Sequence, residues 1–238
     1  MRSITTIIPV YNHRRWLRAA VLSALKDPIL GYRSQVLVID DGSTDGSIET
    51  IGDLPVTIKT LPNNLGFAGA RNAGLEWVDC DWIAFLDADD LRVSGSVQKQ
   101  LRWLENHPQE QAVFGTVQVS FIKDNGTVRE MPYLNRCFPQ GPRLIRASEL
   151  KGGNDLVFSL AQGIYSRELF AQVGHFTGSS RHEDRDFFHR LLKHRSVWML
   201  PQPMFLFQLH DKNIWNYIRL PQFRRITAQR WLLDQTYR

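Results

Sequence analysis

Residues 1–90 contain four short strings in this order: TTIIPVYN (residues 5–12), VIDDGSTDGS (38–47), NNLGFAGARNAGL (63–75) and FLDADD (85–90). Each string either follows a strand-like apolar run or begins a helix-like one. Each also brings a group that suits a nucleotide diphosphate: loop amides, a pair of acids, an arginine or a carboxylate cluster. The order of the four strings therefore indicates both a fold and a kind of ligand.

The four strings lie within an alternation of predicted strands and helices. We predict strands at 3–10, 35–39, 56–61 and 82–86, helices at 14–26 and 66–78, and a weak helix after Ser43 and Thr44. This spacing predicts a mostly parallel sheet with helices on both sides. Ligands of such sheets bind at the carboxyl ends of the strands, where both DDGS and DADD stand.

Beyond residue 90 the pattern changes to a less regular mixture of elements. We predict helices at 94–106, 166–173, 183–194 and 214–237, strands at 112–122, 127–131, 196–200 and 204–208, and a loop over 132–153. The helix at 183–194 has the clearest amphipathic pattern of this half.

The composition is that of a globular protein. The chain has 238 residues, of which 43% are hydrophobic and 22% charged, which suits one α/β domain with or without a small appendage. No apolar stretch approaches the roughly 18 to 20 residues of a membrane span, and the N-terminus does not resemble a signal sequence. We therefore expect a cytoplasmic protein, or one held peripherally at the inner face of the membrane. Cys80 and Cys137 are expected to be reduced thiols.

The end of the chain is basic and aromatic. The net charge is +5, and residues 214–238 contain five arginines and one acid, with aromatic residues between them. This segment could pack on the core, lie on an anionic membrane surface near a lipid-linked acceptor, or bind nucleic acid. The last alternative is disfavoured because the rest of the chain is nearly neutral and has no nucleic-acid motif.

Together the four strings resemble the nucleotide-sugar half of family 2 glycosyltransferases, an inverting group with the GT-A fold. The resemblance is strong over residues 1–90 and moderate over 180–211. It implies an α/β fold, a single α/β/α GT-A domain around a mixed, mostly parallel sheet. The domain would span 1–211, with a nucleotide-sugar half (1–92) and an acceptor and catalytic-base half (93–211), followed by the C-terminal segment 212–238.

The resemblance also implies a reaction and its partners. A sugar would pass from a nucleoside-diphosphate donor, UDP by family frequency, to the hydroxyl of a glycan or lipid-linked acceptor. The expected context is synthesis of cell-surface polysaccharide or glycolipid. A sugar nucleotidyltransferase is disfavoured because the first loop, PVYNHRR, lacks glycine. A non-catalytic binding module with the same fold is the alternative from a different class.

The DADD string is the predicted metal site. Carboxylates suit Mn²⁺ or Mg²⁺, and neighbouring acids are costly without a cation. The resemblance implies that Asp89 is a direct metal ligand, that Asp87 contacts the ribose or the metal through water, and that Ala88 lies in the nucleotide site. It also implies that His210 approaches the metal or the diphosphate. However, Gln208 stands where relatives commonly have arginine.

The other predicted donor contacts come from the first three strings. In the family the first loop wraps the nucleoside, which here concerns Thr6, Pro9, Tyr11 and Asn12. An acid of the DDGS pair, Asp40 or Asp41, would accept a hydrogen bond from the base, or the pair could cap a helix. Arg71 matches an arginine that contacts the base or a phosphate, and its alternative is a salt bridge to a DDGS acid.

The string RHEDRDFFHR (181–190) carries the predicted catalytic base. The reaction needs one carboxylate within reach of the attacking hydroxyl. The resemblance assigns this role to Asp184 of the pair Glu183-Asp184, although acids at a helix start are also favoured by the helix dipole alone. Asp186 is the alternative base. Zinc is disfavoured because His182, His189 and His194 lack helical ligand spacing.

Overall fold

The computed structural model describes residues 1–27, 29–122, 128–130, 140–150, 159–177, 183–210 and 213. Its strands are β1 (Ser3–Val10), β2 (Arg33–Asp40), β3 (Thr57–Thr60), β4 (Trp82–Phe85), β5 (Leu91–Arg92), β6 (Ala112–Ile122), β7 (Val128–Glu130), β8 (Arg143–Ile145), β9 (Gly163–Ser166) and β10 (Val197–Leu209). Its helices are α1 (Leu17–Leu25), α2 (Gly66–Trp77), α3 (Ser96–Glu105), α4 (Arg167–Val173) and α5 (Glu183–His194). Short 3₁₀ turns cover Ile48–Ile51, Ala147–Leu150 and Leu160–Gln162.

All the described strands join one mixed sheet. Its order is β3-β2-β1-β4-β9-β6-β10-β5, with β7 paired to β6 and β8 paired to β10. The strands of the first half pair in parallel, as predicted. Strand β9 then lies antiparallel between β4 and β6, and β6 pairs in parallel with β10. The sheet therefore runs through both predicted halves, and the predicted α/β fold class is confirmed.

Apolar side chains cover both faces of the sheet. One cluster joins the sheet to α1 and α3 through residues such as Leu17 and Leu101. The other joins it to α2, α4 and α5 through residues such as Leu75 and Phe187. Helix α2 lies so close to the sheet that a β-carbon on Gly74 would come within 2.7 Å of Ile7 Cγ2. This close packing explains the small residues of the third string.

Two predictions about the elements were wrong. The helix predicted after Ser43 is only the 3₁₀ turn Ile48–Ile51, because Gly46 lies in the left-handed region at φ 79° and breaks the helical path. The two strands predicted at 196–200 and 204–208 are one strand, β10, whose register shifts on either side of Pro203. Proline lacks the N–H that a ladder needs, so the sequence suggested a break where the strand only adjusts.

Other elements were not predicted or are not described. Strands β5 and β9 were missed, and β8 lies within the predicted loop 132–153. Cys137, half of that loop and the helix predicted at 214–237 lie outside the described residues. None of the described helices reaches the length and hydropathy that crossing a bilayer requires.

Candidate active site

The carboxyl ends of β1, β2 and β4 meet at one edge of the sheet. The three strands are neighbours and parallel, so the loops that follow them lie side by side. This edge brings together most of the predicted donor-side residues: Pro9 near the end of β1, Tyr11 and Asn12 after it, Asp40 at the end of β2, Asp41 after it, and Asp87, Ala88 and Asp89 after β4. Thr6 lies in the middle of β1. Helix α2 and helix α5 begin beside the same edge and contribute Arg71, Glu183 and Asp184.

Hydrogen bonds join the loop after β1 to the loop after β2. Asn12 donates its backbone N–H to Ser43 Oγ (3.0 Å) and accepts at Oδ1 from the Thr44 N–H (2.8 Å). His13 donates its backbone N–H to Ser47 Oγ (2.9 Å). Asn12 is also the only described non-glycine residue with a positive φ, 57°. Asparagine tolerates this left-handed conformation, and the surrounding hydrogen bonds hold it there.

Both acids of the DDGS pair bind backbone amides. Asp40 Oδ1 accepts from the Ser43 N–H (2.8 Å). Asp41 accepts from the N–H groups of Leu65 (2.7 Å) and Gly66 (2.8 Å), one at each carboxylate oxygen. Asp41 thus caps the start of α2, in line with the capping alternative, although the helix concerned is not the next one along the chain.

Arg71 lies at the centre of the site. Its guanidinium is buried and donates from Nη1 to Glu183 Oε1 (2.6 Å) and Asp184 Oδ1 (2.8 Å), and from Nη2 to Asp87 Oδ1 (2.9 Å). Burial opposes its charge, but the three carboxylates raise the pKa of Arg71 further above its usual value. The alternative salt bridge to a DDGS acid is not the one formed. One cation instead joins α2, the end of β4 and the start of α5.

Asp184 is the better placed of the two predicted bases. Its Oδ1 binds Arg71, its Oδ2 accepts from the Leu160 N–H (3.3 Å), and 17% of its side chain is exposed. Burial raises the pKa of Asp184 to about 7, with the charge of Arg71 opposing the shift. Asp186 instead binds Thr177 Oγ1 and Arg190 Nε, away from Arg71.

The carboxylate of Asp89 lies between two imidazoles. Its Oδ2 is 3.2 Å from His210 Nε2 and 3.8 Å from His13 Nε2. Burial opposes ionisation, but the nearby ring of His13 and the hydrogen bond to His210 hold the pKa of Asp89 well below its usual range. The ring of Trp16 stacks on His210 at a centroid distance of 4.7 Å. Gln208 donates to the backbone carbonyl of Asp89 (2.6 Å).

Sequence reasoning missed His13. His13 is the residue directly after the loop string PVYN, and this position in the sequence was the signal that could have identified it as a site residue. Burial acts against a charged ring, but the nearby carboxylate of Asp89 raises the pKa of His13 above its usual value.

The last acid of DADD faces the interior. Asp90 is fully buried, its Oδ1 accepts from the Gln208 N–H (2.9 Å), and its Oδ2 has no hydrogen-bond partner among the described residues. Burial raises its pKa well above the usual value. Beneath it, Arg92 donates to the carbonyls of Phe85 (2.7 Å) and Ala161 (3.2 Å). Asp90 and Arg92 thus bind backbone groups on the buried side of the site.

The donor set at Asp89 suits a divalent cation that is shared with a ligand. In the described part of the chain, no three His, Cys, Asp or Glu side chains are arranged to hold a metal by themselves. Asp89 and His210 do converge, offering one carboxylate oxygen and one imidazole nitrogen. Mg²⁺ in particular is usually bound by one or two carboxylates together with substrate phosphates and water. The residues present therefore fit a cation that binds together with a diphosphate.

Removing the guanidinium of Arg71 should destabilise the protein. Arg71→Met leaves three carboxylates around a buried site without their partner, which we expect to cost about 3–5 kcal/mol of unfolding free energy near pH 8. Without Arg71 the pKa values of these carboxyls rise in the folded state, so the deficit should shrink as the pH falls and they become protonated. Urea unfolding at pH 5 and pH 8 measures both effects.

The matched control for this variant is Arg18→Met. Arg18 donates to both oxygens of Asp53 at the surface, with 44% of its side chain exposed, so its loss should change stability little at either pH. An Arg71→Met protein as stable as the Arg18→Met protein at pH 8 would contradict the central role of Arg71.

Comparison with known proteins identifies relatives along most of the chain. The family model described as "Glycosyl transferase family 2" matches residues 5–174. An uncharacterized glycosyltransferase of Haemophilus influenzae is 42% identical over 114 residues, which are 45% of this chain and 44% of that protein. The chain therefore spans less than half the length of this relative.

Two further comparisons concern proteins whose names state a ligand. The UDP-Glc:alpha-D-GlcNAc-diphosphoundecaprenol beta-1,3-glucosyltransferase WfgD of Escherichia coli is 31% identical over 101 residues, 41% of this chain and 39% of that protein. The structure of S. aureus TarS 1–349 in complex with UDP has a TM-score of 0.64 at 18% identity and covers 92% of this chain and 64% of that one. This structural similarity supports the GT-A architecture of the fold.

Proposed function

The chain belongs to glycosyl transferase family 2, and we propose that it transfers a sugar with inversion from a UDP-sugar to an acceptor hydroxyl, assisted by a divalent cation. The observation that carries this proposal is the juxtaposition at the sheet edge. Arg71 joins Asp184, the proposed base, to Asp87 of the DADD string. The proposed base and the proposed diphosphate site would thus share one guanidinium, and this closeness supports transfer from a nucleotide sugar.

The proposed donor site follows the loops after β1, β2 and β4. Pro9, Tyr11 and Asn12 would contact the nucleoside. Asp41 already uses both carboxylate oxygens to cap α2, which supports Asp40 as the acid that contacts the base. Asp87 and Ala88 would lie along the ribose and diphosphate. The UDP named for TarS and the UDP-Glc named for WfgD support uridine as the base.

The proposed chemistry divides between two carboxylates. Asp184 would take the proton of the attacking hydroxyl as an oxocarbenium-like state develops at the sugar. Glu183, beside it, holds Arg71 in position. Asp89 and His210 would hold Mn²⁺ or Mg²⁺, which supplies positive charge to the departing diphosphate. Most of the acceleration would come from positioning and electrostatics, because the protein forms no bond to the sugar.

The acceptor is proposed from the relatives alone. WfgD is named for an acceptor linked to diphosphoundecaprenol, which supports a lipid-linked acceptor here. We assign residues 93–211 to acceptor binding and the base. A peripheral membrane contact through the basic segment 212–238 would suit such an acceptor. The predicted helix of that segment lies outside the described residues.

The rate of transfer should depend on the ionisation of Asp184. The base must be unprotonated, and burial raises its pKa to about 7, so kcat/KM should fall about tenfold per pH unit below that value. The fall should begin above the usual range of an aspartate, near 4. A pH–rate profile between pH 5 and 9 measures it. A rate that stays flat down to pH 5 would contradict the role of Asp184.

Release of UDP from UDP-Glc tests the proposed activity without knowledge of the acceptor, because transferases also hydrolyse their donors slowly with water as acceptor. The protein should release UDP in the presence of Mn²⁺, and EDTA should suppress the release. The Asp184→Asn variant is the matched blank. No release above this blank, with UDP-Glc or with UDP-GlcNAc, would count against the proposal and favour a non-catalytic binding module.

A further inference from the structure

The hydrogen bonds of Gln208 continue the pairing of β10 with β5 past the end of the shorter strand. Leu206 of β10 pairs with Leu91 of β5 in antiparallel register. The same register, continued along both chains, places Gln208 opposite Asp89. There side chains replace the backbone ladder: the Gln208 N–H binds Asp90 Oδ1 (2.9 Å), and its side-chain amide donates to the Asp89 carbonyl (2.6 Å). One residue of β10 thus binds the last two acids of DADD.

The orientation of the Gln208 amide follows from its partner. A backbone carbonyl oxygen can only accept, so the NH₂ group of the side chain faces the Asp89 carbonyl. An amide donates in this way at any ordinary pH, because it does not titrate. Only 5% of Gln208 is exposed, so water cannot easily replace the bond when the amide is removed. The amide therefore holds the backbone of Asp89 at a fixed distance from β10.

Two further hydrogen bonds connect Gln208 to His210. Asn213 donates from Nδ2 to the Gln208 carbonyl (2.8 Å) and accepts at Oδ1 from the backbone N–H of His210 (2.8 Å). The ring of Trp16 stacks on the imidazole at a centroid distance of 4.7 Å. The backbone and the ring of His210 are thus both held, and the backbone bonds lead to Gln208.

Gln208 therefore lies between the two groups that would hold the cation. On one side it binds the backbone of Asp89, and on the other side Asn213 connects it to the backbone of His210. Asp89 Oδ2 and His210 Nε2 lie 3.2 Å apart. Because the described His, Cys, Asp and Glu side chains form no group of three for a metal, the relative placement of this pair matters. A metal site weakens when its ligands lie about 1 Å from the required geometry.

We propose that Gln208 is a positioning residue that, together with Asn213, sets the separation of Asp89 and His210 and thereby the affinity for the cation. The inference rests on the proposed function, in which the cation binds together with the diphosphate of the donor. In this role Gln208 contacts neither the cation nor the donor. Residues that orient metal ligands typically change metal affinity by about 10- to 100-fold when they are replaced.

Two other interpretations of Gln208 make different predictions. Its amide oxygen could bind the cation directly, since carbonyl oxygens suit Mg²⁺ and Mn²⁺. Direct binding concerns Gln208 alone, whereas the positioning role also requires Asn213. A purely structural role, in which the amide only satisfies a buried carbonyl, predicts lower stability with an unchanged response to metal.

Two variants and one control separate these cases. Gln208→Met keeps the length of the side chain and removes the amide. Asn213→Ala removes the connection to His210 and leaves the amide in place. Because Asn213 is half-buried, its variant tests the inference even if Gln208→Met fails to fold. Gln100→Met is the control, since Gln100 is equally buried and donates to the Gln162 carbonyl (3.2 Å) outside the metal site.

The test is calorimetric titration with UDP, in EDTA and at a series of Mn²⁺ concentrations. In wild type the Kd for UDP should fall as Mn²⁺ rises, and the midpoint of this fall gives the Mn²⁺ concentration that the site requires. Gln208→Met and Asn213→Ala should each raise the midpoint about tenfold, while the Kd in EDTA stays within about twofold. Gln100→Met should lower the melting temperature and keep the midpoint.

An unchanged midpoint in Gln208→Met would overturn the inference, as would an equal shift of the midpoint in Gln100→Met. A higher midpoint in Gln208→Met alone would also overturn it, and would make the amide oxygen a ligand of the cation. A wild-type protein with the same Kd for UDP in Mn²⁺ and in EDTA would contradict the proposed function itself. The failure of the inference and the failure of the proposed function are therefore distinguishable.

Discussion

Replacing Asp184 by Asn should abolish transfer while donor binding persists. Asparagine keeps the size of the side chain and an oxygen for Arg71, but its amide cannot accept the proton of the attacking hydroxyl. General-base catalysis typically contributes about 10²–10⁴ in rate, so we expect kcat to fall by that factor. The Kd for UDP in Mn²⁺ should stay within about twofold, because the contacts of Asp184 are to Arg71 and the Leu160 N–H and not to Asp89. Single-turnover kinetics and calorimetry measure the two quantities.

The matched control is Asp186→Asn. Asp186 belongs to the same first turn of α5, but its carboxylate binds Thr177 and Arg190 rather than Arg71. Its variant should keep kcat near the wild-type value. If Asp186→Asn lost transfer and Asp184→Asn retained it, the assignment of the base would be reversed.

Replacing Asp89 by Ala should remove transfer and metal-dependent donor binding together. This carboxylate is the one on which His210 and His13 converge, and its loss removes the oxygen that would hold the cation. We expect kcat to fall by about 10²–10³, the usual effect of deleting one electrostatic stabiliser of a developing anion. The Kd for UDP should become the same in Mn²⁺ and in EDTA, which titration calorimetry can establish.

Asp79→Ala is the control for general effects of losing an acid. Asp79 is fully exposed and pairs with Arg167 at the surface. Its variant should retain metal-dependent UDP binding. The decisive comparison is between the two site variants: an equal loss of donor binding in Asp89→Ala and Asp184→Asn would refute the division of roles between the carboxylates.

The donor-side edge could be predicted from the sequence because its information is local. The strings IIPV, VLVI and WIAFL are apolar runs of strand length, and each is followed within a few residues by polar groups. Parallel pairing then brings those groups to one edge without further information. The same reasoning failed for β9, a four-residue strand inserted antiparallel between β4 and β6, because its neighbours are distant in sequence.

The partners of Arg71 could not be predicted for a related reason. Glu183 and Asp184 are more than 110 positions away along the chain, and local patterns carry no information on such pairings. The alternative considered from the sequence, a bridge to a DDGS acid, assumed that those acids were available. Backbone amides instead bind both oxygens of Asp41 and one oxygen of Asp40. His13 was missed because its relation to Asp89 also depends on the tertiary fold.

The most direct test of the account is a thermal-shift panel of UDP, GDP, CDP and dTDP, each with Mn²⁺ and with EDTA. A ligand at ~100 times its Kd adds roughly 2.7 kcal/mol of stability, which is readily seen as a higher melting temperature. We expect UDP with Mn²⁺ to give the largest shift, and EDTA or Asp89→Ala to remove most of it. No shift with any nucleotide, or an equal shift with and without metal, would contradict it.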